Sequence, residues 1–371
     1  MGLGARIAVA GWLAVALLAG CRPTPREQPP RAVDPMVATG TLRPAPEDYA
    51  RRRVGTAEYP LPPYAKFLAN VRICLNPGHG GDAQRRGFKR GPTGVREAEM
   101  NLRVARYLRE FLVAAGAEVL LTREADVELS YEQRAAIANE WPADLFVSLH
   151  HNAIDNKPQV NYTTVWYHAD VDYRPSNLDL ARYLCEGLYD ALALEQITDV
   201  PLKSDQLMYA DGFAVLRHAR VTAALCESSF YTNPDEEQRL REPRYNLREA
   251  YGLFLGLARY AAAGLPRARL VEPADGVVRR GAAGALVFEL DDGLRSRKAW
   301  GHERQMILTD SLSVRLDGRA LPFVFDDDGV RYTLRIALPD DLAAGRHELR
   351  LHFENMMKNS LLEPRYVFEA R

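Results

Sequence analysis

An alternation of short apolar runs with helical periods, sustained from Val71 to Gly264, restricts this chain more than any other feature. Val71–Leu75, Glu118–Leu121, Asp144–Leu149, Thr163–Tyr167 and Thr222–Cys226 read as strands. The spacing of Leu102, Ala105, Leu108 and Leu112 predicts an amphipathic helix that stops at Gly116. Tyr131–Asn139, Leu178–Leu194 and Arg244–Gly264 read as further helices. Strands linked by helices form a mainly parallel sheet with helices on both faces, because each crossover lays a helix over the sheet. The expected fold class is therefore α/β.

Chemistry-bearing residues follow three of these strands. The first runs into Asn76-Pro77-Gly78-His79-Gly80-Gly81, the third into Ser148-Leu149-His150-His151-Asn152-Ala153, and the last into Cys226-Glu227-Ser228-Ser229-Phe230. Ligands of open α/β sheets bind at the carboxyl ends of the strands, so these residues converge on one crevice. Two imidazoles and a carboxylate, with a fourth position open, are the ligand set of catalytic zinc. Either Glu97 or Glu99, at the entry to the first helix, completes the His79/His150 pair, which leaves Glu227 free to carry protons. Composition excludes other classes. Lys and Arg total 48 against 49 Asp and Glu, so the formal charge is −1 and no basic footprint for nucleic acid exists. Four scattered cysteines are too few for a disulfide scaffold.

From about Val71 to Ala262 the chain resembles the zinc-dependent N-acetylmuramoyl-L-alanine amidases of the Amidase_3 type. The resemblance rests on four motifs in order: Pro77-Gly78-His79-Gly80-Gly81; Gly94-Val95-Arg96-Glu97 through Leu102; Leu121-Thr122-Arg123 with Asp126, Arg134 and Ala138-Asn139; and the pair Ser148–Ala153 and Glu227–Asn233. It implies His79, Glu97 and His150 as zinc ligands, Glu97 being chosen over Glu99 by its offset of five from Leu102. It implies Glu227 as the general base that takes a proton from the attacking water and passes it to the leaving amine. The bond cut is the amide between the lactyl group of N-acetylmuramic acid and L-Ala of the peptidoglycan stem peptide. Asn152 is implied as a substrate residue or a support for the ligands. Three positions depart from the family pattern: Asn76 stands for Asp, Ser229 for Gly, and Thr222 for Pro.

The surrounding residues carry plainer expectations. His151, His168 and His218 read as surface or supporting residues rather than ligands, and Cys74, Cys185 and Cys226 as buried free thiols. The basic loop Arg85-Arg86 with Lys89-Arg90 either grips stem-peptide carboxylates or is simply solvated. Ile154–Tyr162, with Pro158 at its centre, cannot form a helix long enough to block the cleft.

Outside this region the pattern changes twice. After Pro266, strand-like runs (Ala285–Leu290, Leu312–Leu316, Tyr332–Ile336, His347–Phe353, Tyr366–Phe368) separated by turns predict an all-β sandwich, similar to Ig-like or fibronectin-III-like modules, with a glycan or protein partner or a spacer role. At the N-terminus, Ile7–Leu18 is apolar, and Leu18-Ala19-Gly20-Cys21 resembles a bacterial lipobox. The resemblance implies cleavage before Cys21 and lipid on its thiol, a membrane anchor. Arg22 after the cysteine leans towards the outer membrane, facing the periplasm, in a Gram-negative envelope. The expected divisions are a signal peptide at 1–20, a proline-rich tether at 21–66, a zinc amidase domain at 67–265 and the sandwich at 266–371. Two alternatives remain: a non-catalytic peptidoglycan-binding lipoprotein, and a zinc carboxypeptidase acting on stem peptides.

Overall fold

The computed structural model describes residues 59–169, 174–194, 198, 200–278, 284–295 and 306–371. The expected signal peptide, Cys21 and most of the tether lie outside them. No helix among the described residues is long and apolar enough to cross a membrane.

The α/β body contains strands β1 (Arg72–Pro77), β2 (Glu118–Leu121), β3 (Leu145–Asn152), β4 (Thr164–Tyr167), β5 (Leu202–Ser204) and β6 (Thr222–Phe230). Its helices are α1 (Glu97–Ala114), α2 (Tyr131–Glu140), α3 (Ser176–Leu192), α4 (Ala214–Arg217), α5 (Pro234–Arg241) and α6 (Pro243–Ala262). The six strands lie in the order β2-β1-β3-β6-β4-β5. All neighbours are parallel except β4, which runs antiparallel to β6, so the sheet is mixed. Alternate residues feed two cores, as the strand period of two requires. Ile73, Leu75, Val147, Leu149 and Cys226 pack under α1, α3 and α6. Cys74, Phe146, Ala223 and Leu225 face the other way, with Ala138 of α2 and Leu216 of α4.

The expected tether boundary is corrected at its C-terminal end. A 3-10 turn over Pro63–Leu68 buries Ala65 and Leu68, and Tyr59, Leu61, Tyr64 and Phe67 pack on the same core. The Tyr251 hydroxyl donates to the Pro60 carbonyl at 2.7 Å. Residues from Tyr59 onward therefore belong to the folded body, because their aromatic rings bury more apolar surface than a solvated linker can give up.

Beyond Gly264 the chain is β-rich. A five-stranded sheet, β11-β10-β14-β15-β8, and a four-stranded sheet, β12-β13-β9-β7, are built from β7 (Arg267–Glu272), β8 (Val277–Val278), β9 (Ala285–Asp291), β10 (Ile307–Leu316), β11 (Arg319–Ala320), β12 (Phe323–Asp327), β13 (Tyr332–Ala337), β14 (Gly345–Asn355) and β15 (Arg365–Ala370). Phe288, Leu334 and Ile336 of one sheet share a core with Val314, Leu351 and Phe353 of the other. Polar contacts fasten this region to the body. Asn355 Nδ2 donates to the Ala263 carbonyl at 2.9 Å, the Ser360 amide to Asp179 Oδ2 at 2.8 Å, and Leu362 is buried in the body's own core.

Candidate metal centre

The turn after β1 is held from beneath. Arg123 donates to the carbonyls of Pro77, Gly78 and Ala98, and Arg134 to those of Pro77 and His79. Asn76 sits under the turn, almost fully buried: its amide nitrogen donates to Ser148 Oγ, and its oxygen accepts from Thr122 and Arg134. An Asn satisfies both roles, whereas an anion could only accept. This places Asn76 as a support for the turn and away from substrate. The turn itself is constrained. His79 has φ 57, a conformation that costs a non-glycine residue about 1 kcal/mol and persists only where surroundings enforce it. Gly78 must lack a side chain, since a Cβ there would lie 2.2 Å from His150 Cε1.

Glu97 opens α1, where the helix's positive end favours its charge. The segment leading to it is aimed by Glu237 of α5, whose carboxylate accepts from the amides of Thr93 and Val95. His150 arrives on β3 and Glu227 on β6, where the two are register partners. The pairing then slips from His150/Glu227 to Asn152/Phe230, so β6 carries one extra residue around Ser228–Ser229. Such bulges re-aim neighbouring side chains.

His79, Glu97 and His150 each present a ligand atom within 4.8 Å of the others. His79 Nε2 lies 3.1 Å from Glu97 Oε2, and His150 Nδ1 lies 3.1 Å from Oε1. Glu97 is 1% exposed, and its Oε2 lacks a hydrogen bond of good geometry. A buried carboxylate with an unsatisfied oxygen, faced by two imidazoles, is a donor set suited to a divalent metal. Burial opposes ionisation of Glu97, but the imidazoles, His79 foremost, hold its carboxyl well below the usual range. Burial pushes His150 down to about 4, so its ring is neutral and able to donate a lone pair at pH 7. Glu227 goes the other way. Burial first, then the nearby charge of Glu97, raise its carboxyl well above the usual range, and Lys89 opposes them in part. Its Oε2 is buried without a partner.

A buried chain of polar groups backs the cluster. Asn101 Nδ2 reaches Glu97 Oε1 at 3.4 Å, Asn101 Oδ1 faces His151 Nδ1 at 2.9 Å, and His151 Nε2 faces Glu249 Oε2 at 3.1 Å. His151 is thus a supporting residue, as expected, but a core one. His168 pairs with buried Asp205 and His218 with Glu132 on the surface, while Cys74, Cys185 and Cys226 are buried and free.

The remaining expected residues separate cleanly. Glu99 points away, 61% exposed and paired with Arg103. Asn152 caps its own turn, its Oδ1 accepting from the Ala153 amide. Arg85 lies 3.7 Å above the Phe88 ring and lines, with His79, Glu128, Tyr131 and Arg134, a cleft of about 320 Å³; Arg86 is exposed outside that lining. Residues 153–163 contain no helix. Asn161 anchors them, bonding to Glu236 and to the Phe230 amide. Sequence reasoning missed Glu236, Glu237 and Glu249, which look like solvated charges in helical segments and reveal themselves only through what they hold.

An α/β sheet thus gathers His79, His150 and Glu227 at the carboxyl ends of its strands, with Glu97 beside them at a helix start, a group that could hold a metal in a hydrolase. Residues 73–259 match the model of the Amidase_3 family, described as N-acetylmuramoyl-L-alanine amidase, and the chain belongs to that family. It is an enzyme of the peptidoglycan amidase type. The chain is similar to the germination-specific N-acetylmuramoyl-L-alanine amidase of Bacillus subtilis, 27% identical over 213 residues that cover 53% of this chain and 83% of that protein. It is also similar to LytC of Bacillus subtilis, 29% identical over 189 residues, covering 51% of this chain but only 35% of LytC. Among solved structures, AmiC2 of Nostoc punctiforme aligns at 26% identity with a TM-score of 0.44, over 51% of this chain and 96% of that one.

Proposed function

We propose that this protein is a zinc-dependent N-acetylmuramoyl-L-alanine amidase that acts on peptidoglycan from a lipid anchor. One observation carries the reading: His79, Glu97 and His150 converge within 4.8 Å, with Glu227 the register partner of His150. His79, Glu97 and His150 would hold the zinc ion. When bound, zinc supplies Lewis acidity, polarising the scissile carbonyl and bringing the pKa of water to about 7. Neutral His150 and ionised Glu97 are already in their ligating protonation states. Glu227 accepts a proton from the attacking water at its unpartnered oxygen and returns it to the nitrogen of L-Ala as the amide bond breaks. The lactyl group leaves as a carboxylate, and the stem peptide leaves as an amine. Arg123 and Arg134 keep the His79 turn from relaxing during this exchange.

Digestion of sacculi followed by mass spectrometry tests the bond. Free stem peptides beginning at L-Ala are expected. Trimmed stems would mean a carboxypeptidase, and intact muropeptides a non-catalytic binder.

The wider organisation belongs to the same reading. Cys21 would carry the lipid, placing the enzyme in the cell envelope and, in a Gram-negative cell, on the outer membrane facing the periplasm. A proline-rich tether would precede the amidase domain, and an Ig-like or fibronectin-III-like module with a glycan or protein partner would follow it. Cys21→Ser should move the protein from membrane to soluble fractions, and an unchanged distribution would refute the anchor.

A further inference from the structure

The polar resources of this molecule are not confined to the metal centre. A groove of about 650 Å³ runs between the α/β body and the β-rich region, and five arginines line it: Arg72, Arg220, Arg267, Arg346 and Arg365. Only two acids, Asp144 and Glu363, share the lining. A chain with a formal charge of −1 thus gathers an excess of three positive charges in one groove. The arginines are not equivalent. Arg72 and Arg267 both pair with Asp144, one from each side of the groove, and fix its floor. Arg365 pairs with Glu348, and Glu363 lies 3.9 Å from Arg174. Arg220 and Arg346 are exposed; the Arg220 backbone amide donates to Asn139 and its charge acts on Glu363, but neither guanidinium makes a side-chain hydrogen bond or salt bridge among the described residues. Val367, 45% exposed, shares the lining, so the groove offers apolar contact as well as charge.

Its position separates it from the reaction. Arg72 starts β1, whereas His79 follows the end of that strand; Asp144 precedes β3, whereas His150 lies near its end. Six residues at about 3.3 Å each put the groove about 20 Å from the metal centre, across the sheet. A stem peptide being cut cannot occupy both.

We infer that this groove is a second, non-catalytic site for a carboxylate-bearing peptide, and that the peptide is another stem of the same peptidoglycan. The inference rests on the amidase reading for the identity of the polymer. Guanidinium forks match carboxylates in a planar, bidentate geometry. A recessed groove of this volume admits an extended peptide. Holding one stem while cutting a neighbour raises the effective concentration of substrate without adding any contact at the metal centre.

The test uses the full-length protein with Glu227→Gln, to stop digestion, and measures its retention on purified sacculi. Adding Arg220→Glu and Arg346→Glu should weaken retention about tenfold, the size expected for two lost charge-assisted contacts. Chemical amidation of the sacculus carboxylates should bring the parent down to the same level. With Glu227 restored, the double variant should turn over a soluble muropeptide within twofold of wild type. Retention unaffected by the double substitution would overturn the site. Sacculus retention held constant, with loss of binding to vesicles of one part phosphatidylglycerol and three parts phosphatidylcholine, would overturn the peptide in favour of lipid phosphate. If wild type fails to cut the soluble muropeptide, the amidase reading falls while the retention result still decides whether the groove binds carboxylates.

Discussion

His150 and Glu227 are register partners on neighbouring parallel strands, and a bulge follows them on β6. One imidazole is driven neutral by burial and turned towards Glu97. One carboxyl is driven towards its protonated form and left with a free oxygen. A pair of groups whose environments push them in opposite directions is the arrangement that divides ligand from proton carrier.

Glu97→Ala should lose most bound zinc and most activity, while Glu99→Ala should keep both. Glu97 is buried between the imidazoles, whereas Glu99 is exposed and makes a surface ion pair of little worth. Metal analysis of both purified variants checks this, and loss of zinc from the Glu99 variant alone would reverse the assignment.

Glu227→Gln should retain zinc and fold but lose activity by about 10²–10⁴, the range of general acid–base contributions. Gln fills the same space and removes a carboxyl that burial already penalises, so the melting temperature should not fall. A variant that also releases its zinc would make Glu227 a ligand.

Asn101→Ala should weaken zinc affinity by about tenfold, because Asn101 steadies Glu97 Oε1 and links it to the His151–Glu249 pair. Competition with a chelating dye measures it. Equal affinity in the two proteins would reduce this buried chain to packing.

Much of the site was legible because strand periodicity places residues at strand ends, and strand ends of α/β sheets are where ligands bind. The direction of β4 was not, since alternation of apolar residues is the same whichever way a strand runs. Arg123 and Arg134 stood in the connecting motif, but nothing in the sequence shows what they hold. They are buried because the turn after β1 leaves carbonyls that only long, multi-donor side chains can reach. Helix α5 was missed because Pro234–Arg241 has one aliphatic side chain besides its proline and thus no apolar period; it forms because Asn233 caps it and because Glu236 and Glu237 turn inward to hold other loops. The prolines near residue 60 suggested a tether, yet Pro63 begins a helical turn, a place where a missing amide costs nothing.

In the β-rich region, His347 and Asp317 should couple stability to pH. The hydrogen bond that the His347 ring donates to Asp317 raises His347, and the Glu348 amide together with His347 lowers Asp317. The histidine's contribution is full below its unfolded value of about 6.5 and is lost as pH rises through the raised folded value; the aspartate's is present above about 3.9 and is lost on acidification. Asp317→Asn, which still tolerates the residue's φ of 46, should therefore lower the melting temperature most near pH 5–6, by about 1–2 °C, and by less at pH 9, where the histidine part is lost and only the Glu348 amide still favours the charge. A difference that grows towards pH 9 would contradict this linkage.

The last prediction concerns control of the cleft. Residues 153–163 follow the strand that carries His150 and hold no helix. They are pinned at Asn161 to Glu236 and to the Phe230 amide. A segment fixed in this way, with Pro158 inside it, has neither the length nor the free backbone donors to lay a helix across His79 and His150. No helix from this segment therefore covers that side of the candidate metal centre. Purified protein loaded with zinc should release stem peptides from sacculi with no second protein added, and addition of envelope extract should change the initial rate by less than about twofold. Zinc-loaded protein that stays inert until a partner is supplied would refute this, and would move the search for a restraint to the β-rich region that is bonded to Asp179 and to the end of α6.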